Sequence, residues 1–169
     1  MADAAAVQDL IDYTAIRRLQ DAYADIVTRR AWAELDDVFL PDLRLDLDLR
    51  SLPARVMIGP AEIGGFIGGS LEKFEFFEFV ILNTRIHLRD GGDPDQAVGR
   101  MFMSEIRQER ASGEFSTIYG VYHDRFRCID GRWWFAARQY HSLARPPAVP
   151  GRSMDVFAFP PADSFPARP

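Results

Sequence analysis

Apolar residues at the start of the chain recur at the spacing of a helix. Between positions 13 and 30, Ile16, Leu19, Tyr23 and Ile26 fall on one face, while Arg17, Arg18, Asp21 and Asp25 fall mostly elsewhere. This predicts a helix, with Asp12 placed to cap its first turn. Trp32, Leu35 and Phe39 extend the pattern into a second short helix that stops before Pro41. The period then changes to two. Leu43, Leu45, Leu47 and Leu49 alternate with Arg44, Asp46 and Asp48, the signature of a half-buried strand with its leucines inward. A second short strand is expected over 55–58. Gly59-Pro60 then opens a helix whose glycines at 64, 65, 68 and 69 predict a short or irregular element.

Four long β patterns follow, over 76–88, 97–109, 115–129 and 132–143. They are separated by the turn clusters Asp90-Gly91-Gly92-Asp93-Pro94, Ala111-Ser112-Gly113 and Asp130-Gly131. Strands of this length joined by tight turns make an antiparallel meander that must curl. The expected class is therefore α+β, with N-terminal helices packed on a strongly curved, mostly antiparallel mixed sheet over 1–145. Beyond Pro146 the chain changes character: seven of its eleven prolines lie in 146–169, and proline cannot serve a central strand. The segment 154–159 is apolar enough for this tail to dock on the domain or on a partner subunit.

Composition narrows the function. A chain of 169 residues suits one domain with a single core. Thirteen Phe, five Tyr and three Trp are many rings for that length, and rings line concave ligand sites as readily as they fill cores. The formal net charge of -5 speaks against nucleic acid as a partner. One cysteine, Cys128, excludes an internal disulfide or a cysteine metal cluster. No apolar run reaches the ~20 residues that span a bilayer, and the first residues lack a basic segment followed by an apolar one. A cytoplasmic protein without a membrane partner is the expectation. No GxGxxG follows a strand and no GxSxG elbow occurs. His87, His123 and His141 lack local ligand spacing. The expectation is no metal and no cofactor.

The order of elements, with the stretches 15–32, 81–88 and 120–138, resembles the SnoaL-like branch of the NTF2-like superfamily. The resemblance covers about residues 10–145 and implies a cavity between the sheet and the first helices. In dehydratase and dehydrochlorinase members, it implies an Asp on the first helix and a His on the following strand. Those positions fall here on Thr28 and Phe79, neither of which takes a proton at neutral pH. The resemblance also places Tyr23, Glu105 and Arg138 at pocket positions. Glu105 is then the candidate general base, Tyr23 the donor to a carbonyl or enolate oxygen, and Arg138 an oxyanion stabiliser.

His123 joins the catalytic candidates because His titrates nearest neutral pH. Alternation puts Tyr119, Val121, His123 and Arg125 on one face of their strand and Tyr122, Asp124 and Phe126 on the other, and a bulge would exchange the two. Thr28, Phe79, Asn83, Tyr122 and Trp134 are the candidate substrate-binding residues. These residues suggest a cofactor-independent lyase, isomerase or cyclase acting on a hydrophobic cyclic, polyketide- or steroid-like molecule. Because Thr28 and Phe79 replace the dyad, a binding protein for a hydrophobic ligand is the alternative. An assembly role is a third. A homodimer through the outer face of the meander is expected, since its ring-rich strands leave apolar area to cover.

Overall fold

In a computed structural model, residues 4–147, 153–161 and 165 are described. Helix α1 (Ala4–Arg29) runs about two and a half turns longer at its start than the periodicity suggests. Asp12 is therefore mid-helix and caps nothing; its carboxylate instead accepts hydrogen bonds from Gln8 at 3.1 Å and from the Trp133 indole at 3.0 Å. The buried face of α1 carries Ile16, Leu19, Tyr23, Ile26 and Val27. Removing one such aliphatic or aromatic side chain from water stabilises the fold by roughly 1.5–3 kcal/mol. Past Arg30, which has positive φ, the expected second helix is a single stretch of 3-10 helix, Trp32–Asp37.

Strands β1 (Phe39–Asp48) and β2 (Arg55–Ile58) form an antiparallel pair. Helix α2 (Gly59–Leu71) follows, thirteen residues long and regular beyond its first residue, Gly59, contrary to the expectation of a short or irregular element. Its glycines permit close approach. A Cβ at Gly64 would lie 3.3 Å from the Trp32 Cβ, and one at Gly68 3.0 Å from the Trp32 indole nitrogen. The 3-10 segment can therefore press its tryptophan onto the helix backbone.

The meander consists of β3 (Phe74–Leu88), β4 (Gln96–Glu109), β5 (Phe115–Ile129) and β6 (Arg132–Arg145). The sheet order is β2-β1-β6-β5-β4-β3, and β1 lies parallel to β6 while the other pairs are antiparallel. The fold is α+β, with helices packed on an open, mixed sheet. Register shifts within β3, in the β1–β6 pairing, and at one end and in the middle of the β5–β6 pairing bend the strands. Asp130 and Gly131 both have positive φ, as a two-residue hairpin turn requires. A two-residue strand, β7 (Asp155–Val156), pairs with the end of β6 at Ala144 and Arg145. From there Phe159 packs against Phe102 and Phe165 against His123, on the face of the sheet turned away from the helices. No helix among the described residues is long and apolar enough to cross a membrane.

Candidate functional site

Between the two helices and the inner face of the sheet lies a cavity of about 410 Å³. Its walls are mostly apolar. Leu45 and Leu47 arrive from β1 by alternation, Leu49 from just past its end, and Phe74, Phe77 and Phe79 from β3. The bulge between Phe74 and Phe76 allows Phe74 and Phe77 to share the inner face while Phe76 is exposed. The lining residues Leu52, Gly69, Ser70 and Lys73 are solvent-exposed and mark the mouth.

At the closed end, Tyr23 from α1 meets Tyr122 from β5. Their rings lie 6.3 Å apart, and each phenol shifts the proton affinity of the other. Burial pushes both phenols above the usual tyrosine range, and the nearby Arg138 cation pulls both back down. Arg138 is itself fully buried. Its guanidinium carbon sits 4.1 Å from the ring centres of Tyr23 and Tyr122 and 4.2 Å from that of Phe135. The contact is cationic on π faces.

The partner of Arg138 is Asp124, two residues along β5 from Tyr122. Asp124 accepts two hydrogen bonds, from Nε at 2.8 Å and from Nη2 at 3.2 Å. Burial pushes the Asp124 carboxyl up and Arg138 pulls it back; burial opposes the Arg138 charge, and Asp124 together with the two tyrosines more than offsets it. Arg138 therefore stands behind the tyrosines instead of projecting into the cavity. Its Nη1 has no hydrogen-bond partner among the described residues.

Glu105 lines the cavity from β4, opposite Phe79 on β3 and Ile118 on β5. Its partner is Arg107, two residues on along the same face, with Nη1 3.7 Å from Oε2. Burial raises the Glu105 carboxyl above the usual carboxylate range, and Arg107 and Arg145 oppose that rise. Tyr140 stands nearby on β6, its hydroxyl 3.2 Å from the Ser142 hydroxyl. A Cβ at Gly120 would fall 2.4 Å from the Tyr140 ring, so glycine at that point of β5 admits the tyrosine.

Among the sequence candidates, Tyr23, Glu105, Phe79 and Tyr122 converge on the cavity. Thr28 sits at its margin, with Oγ1 accepting the Phe79 backbone N–H at 3.0 Å. His123 stands on the opposite face of the sheet, since it alternates with Tyr122, which points inward. Its Nε2 accepts from Arg100 at 3.0 Å, and its ring meets His141, Phe159 and Phe165. Asn83, beside the β3 bulge, is exposed, and Trp134 stacks under Arg132 at 4.0 Å; neither lines the cavity.

Asp124, Arg107, Tyr140 and Arg145 also belong to the site and do not stand out as candidates in the residue pattern. Alternation contained the signal for Asp124, because an inward Tyr122 obliges an inward Asp124. Likewise an inward Glu105 obliges an inward Arg107. Among the described residues no group of three or more His, Cys, Asp or Glu side chains lies close enough to hold a metal ion.

The family model for the SnoaL-like domain matches residues 8–139. The chain belongs to the SnoaL-like family. No curated protein matches its sequence. Among solved structures, this SnoaL-like chain is similar to a protein of Novosphingobium aromaticivorans provisionally assigned as a scytalone dehydratase, at 18% identity and a TM-score of 0.72 over 90% of this chain and 97% of that one. It is also similar to a hexachlorocyclohexane dehydrochlorinase of Novosphingobium barchaimii, at 16% identity and a TM-score of 0.70 over 91% and 99% of the two chains. A third is an NTF2-like protein with a cystatin-like fold from Novosphingobium aromaticivorans, at 19% identity and a TM-score of 0.67 over 85% and 92%. At these identities the likeness is one of fold, and the chemistry must be argued from the side chains.

Proposed function

We propose that this SnoaL-like protein is a cofactor-independent lyase, isomerase or cyclase that works by general acid–base chemistry on a hydrophobic, cyclic substrate. One observation carries the proposal: a single half-buried carboxylate, Glu105, lines a ring-walled cavity that also holds the Tyr23 and Tyr122 phenols. A carboxyl raised by burial is a stronger base once ionised, which suits proton removal near neutral pH.

In this scheme Glu105 takes a proton from a carbon next to a carbonyl. The C–H electron pair moves into the carbonyl, and the resulting enolate oxygen receives hydrogen bonds from the tyrosines. Arg138 acts through them. Its charge favours electron-rich phenol oxygens, and its pairing with Asp124 fixes both rings. The enolate then expels a β substituent, regains a proton at another carbon, or attacks a second carbonyl. These outcomes are elimination, isomerisation and cyclisation. The names of two solved neighbours, a dehydratase and a dehydrochlorinase, both denote eliminations.

Deuterium uptake tests the first step without knowledge of the product. Cyclic ketones incubated with the protein in deuterated buffer should exchange α protons faster than buffer alone. Glu105→Gln should lower that rate by about 10²-fold or more, and equal exchange in wild type and variant would reject the scheme. A second reading is favoured by the Thr28–Phe79 contact, which occupies the positions of the family's dyad with groups that carry no proton: a pocket that binds and does not transform. Tight binding of a cyclic ketone with no exchange would select it.

A further inference from the structure

The polar groups of the cavity are unbalanced in charge. Among the residues that line it, Glu105 is the one carboxylate, and Lys73, Arg107 and Arg145 are cations. The two arginines lie at the same end. Both act on Glu105, and the Arg145 charge also acts on Arg107. Two guanidiniums held near each other beside one carboxylate leave a positive surplus in a space walled by leucine and phenylalanine.

Arg107 is not used up by its protein contacts. Its side chain is 13% exposed. Nη2 reaches the Ser116 hydroxyl at 3.3 Å, Nη1 meets Glu105 only at 3.7 Å, and the buried Nε has no partner among the described residues. The guanidinium carbon sits 4.7 Å from the centre of the Phe74 ring, a cation–π contact that holds it at the cavity wall. Arg145 is anchored by one nitrogen, Nη1, on the Leu49 carbonyl at 2.8 Å. The closed end, by contrast, offers rings and paired phenols.

We propose that the cavity takes an apolar molecule bearing one acidic group, with its carboxylate held by Arg107 and Arg145 near the mouth and its ring system directed toward Tyr23 and Tyr122. The inference rests on the same cavity as the function proposed above and adds the ionic character of the substrate. Lys73, exposed beside the mouth, attracts the acid without fixing it. The carboxylate end then sets which ring atom faces Glu105.

Calorimetric titration of the full chain with 2-naphthoate and with 2-naphthamide, which match in shape and differ in charge, tests this. The acid should bind about ten- to a hundredfold more tightly than the amide, the range of charge-assisted hydrogen bonds. Arg107→Met and Arg145→Met should each remove most of that preference and leave amide binding in place. Retained amide binding also reports that the variants are folded, and Arg107→Lys should keep part of the preference. Glu105→Gln should tighten the acid. Equal affinity for the two compounds, a preference that survives both methionine variants, or no binding of either compound up to its solubility limit overturns the proposal. Acid preference is read by binding and proton removal by exchange. A Glu105→Gln protein that exchanges like wild type yet still prefers the acid therefore defeats the catalytic scheme alone.

Discussion

Thr28 and Phe79 are bonded to each other: the threonine hydroxyl on α1 accepts the phenylalanine backbone N–H on β3 at 3.0 Å. These are the two positions at which the family resemblance implies an aspartate and a histidine. Their contact places a carboxylate at 28 within reach of an imidazole at 79. The double variant T28D/F79H should therefore show a histidine whose pKa lies about one unit or more above that of F79H alone, because a carboxylate neighbour favours the charged ring. NMR titration of the imidazole protons measures it. Identical values would mean that the positions cannot form a dyad in this backbone. Thr28→Val, which leaves the N–H unpaired, should cost about 1 kcal/mol in urea denaturation.

The Asp124–Arg138 pair is a second test of the closed end. Both side chains are fully buried, so removing one partner leaves the other charge without compensation. Asp124→Asn should destabilise the fold by roughly 3–5 kcal/mol. Replacing both, as in D124L/R138M, should cost less than Asp124→Asn alone, since an apolar pair of similar volume carries no desolvation penalty. Additive losses in denaturant melts would show that the two residues contribute through packing and not through their charges.

His123 supplies the pH dependence. Burial, the Arg100 guanidinium and His141 together lower it to about 4, against an ordinary value of 6.5. As the pH falls, the unfolded chain takes this proton first. The stability tied to neutral His123 is therefore complete above pH 6.5, declines as the pH drops toward about 4, and is gone below that. At about 1.4 kcal/mol per unit the ceiling is roughly 3 kcal/mol. Glu105 and Asp124, both raised by burial, work in the opposite direction at acid pH, so the comparison must be with a variant. Between pH 7 and pH 4.5, wild type should lose ~1–2 kcal/mol more than His123→Gln in urea melts. Parallel losses would remove His123 as the source.

Much of this fold is legible in the residue pattern, and the failures share one cause. Strand β5 begins and ends where the alternation and the Asp130-Gly131 turn put it, because both signals are local. The regularity of α2 was not legible. Its glycines count against a helix by propensity, and only the distant Trp32 explains two of them, Gly64 and Gly68. The same holds for the site. Alternation grouped Tyr122 with Asp124 and apart from His123, but the choice of inner face depends on register shifts at Tyr119–Gly120 and Arg125–Phe126 against β6. Glu105 and Arg138 were each found singly. Asp124, the partner of Arg138, follows from β5 lying beside β6, a property of topology, whereas Arg107, two residues from Glu105 on β4, needed only the inner face to be known.

The outer face of the sheet bears on assembly. Patterning alone points to self-association there, yet the chain places its own tail on that surface. β7 continues along β6, the Phe157 N–H donates to the Leu143 carbonyl at 2.9 Å, and Phe159 lies 5.9 Å from Phe102 and 5.6 Å beneath the Arg100 guanidinium. A second copy docking over Phe102 must displace Phe159, so the tail and the copy compete for one apolar site. Phe159→Asp weakens the tail's hold and should raise the dimer fraction several-fold in sedimentation across the micromolar range, since apolar area freed on a sheet face favours pairing. The same substitution should move His123 back toward 6.5, as water reaches its ring. A dimer that weakens in Phe159→Asp would instead make the tail part of the contact, and the two measurements together separate a cover from a clasp.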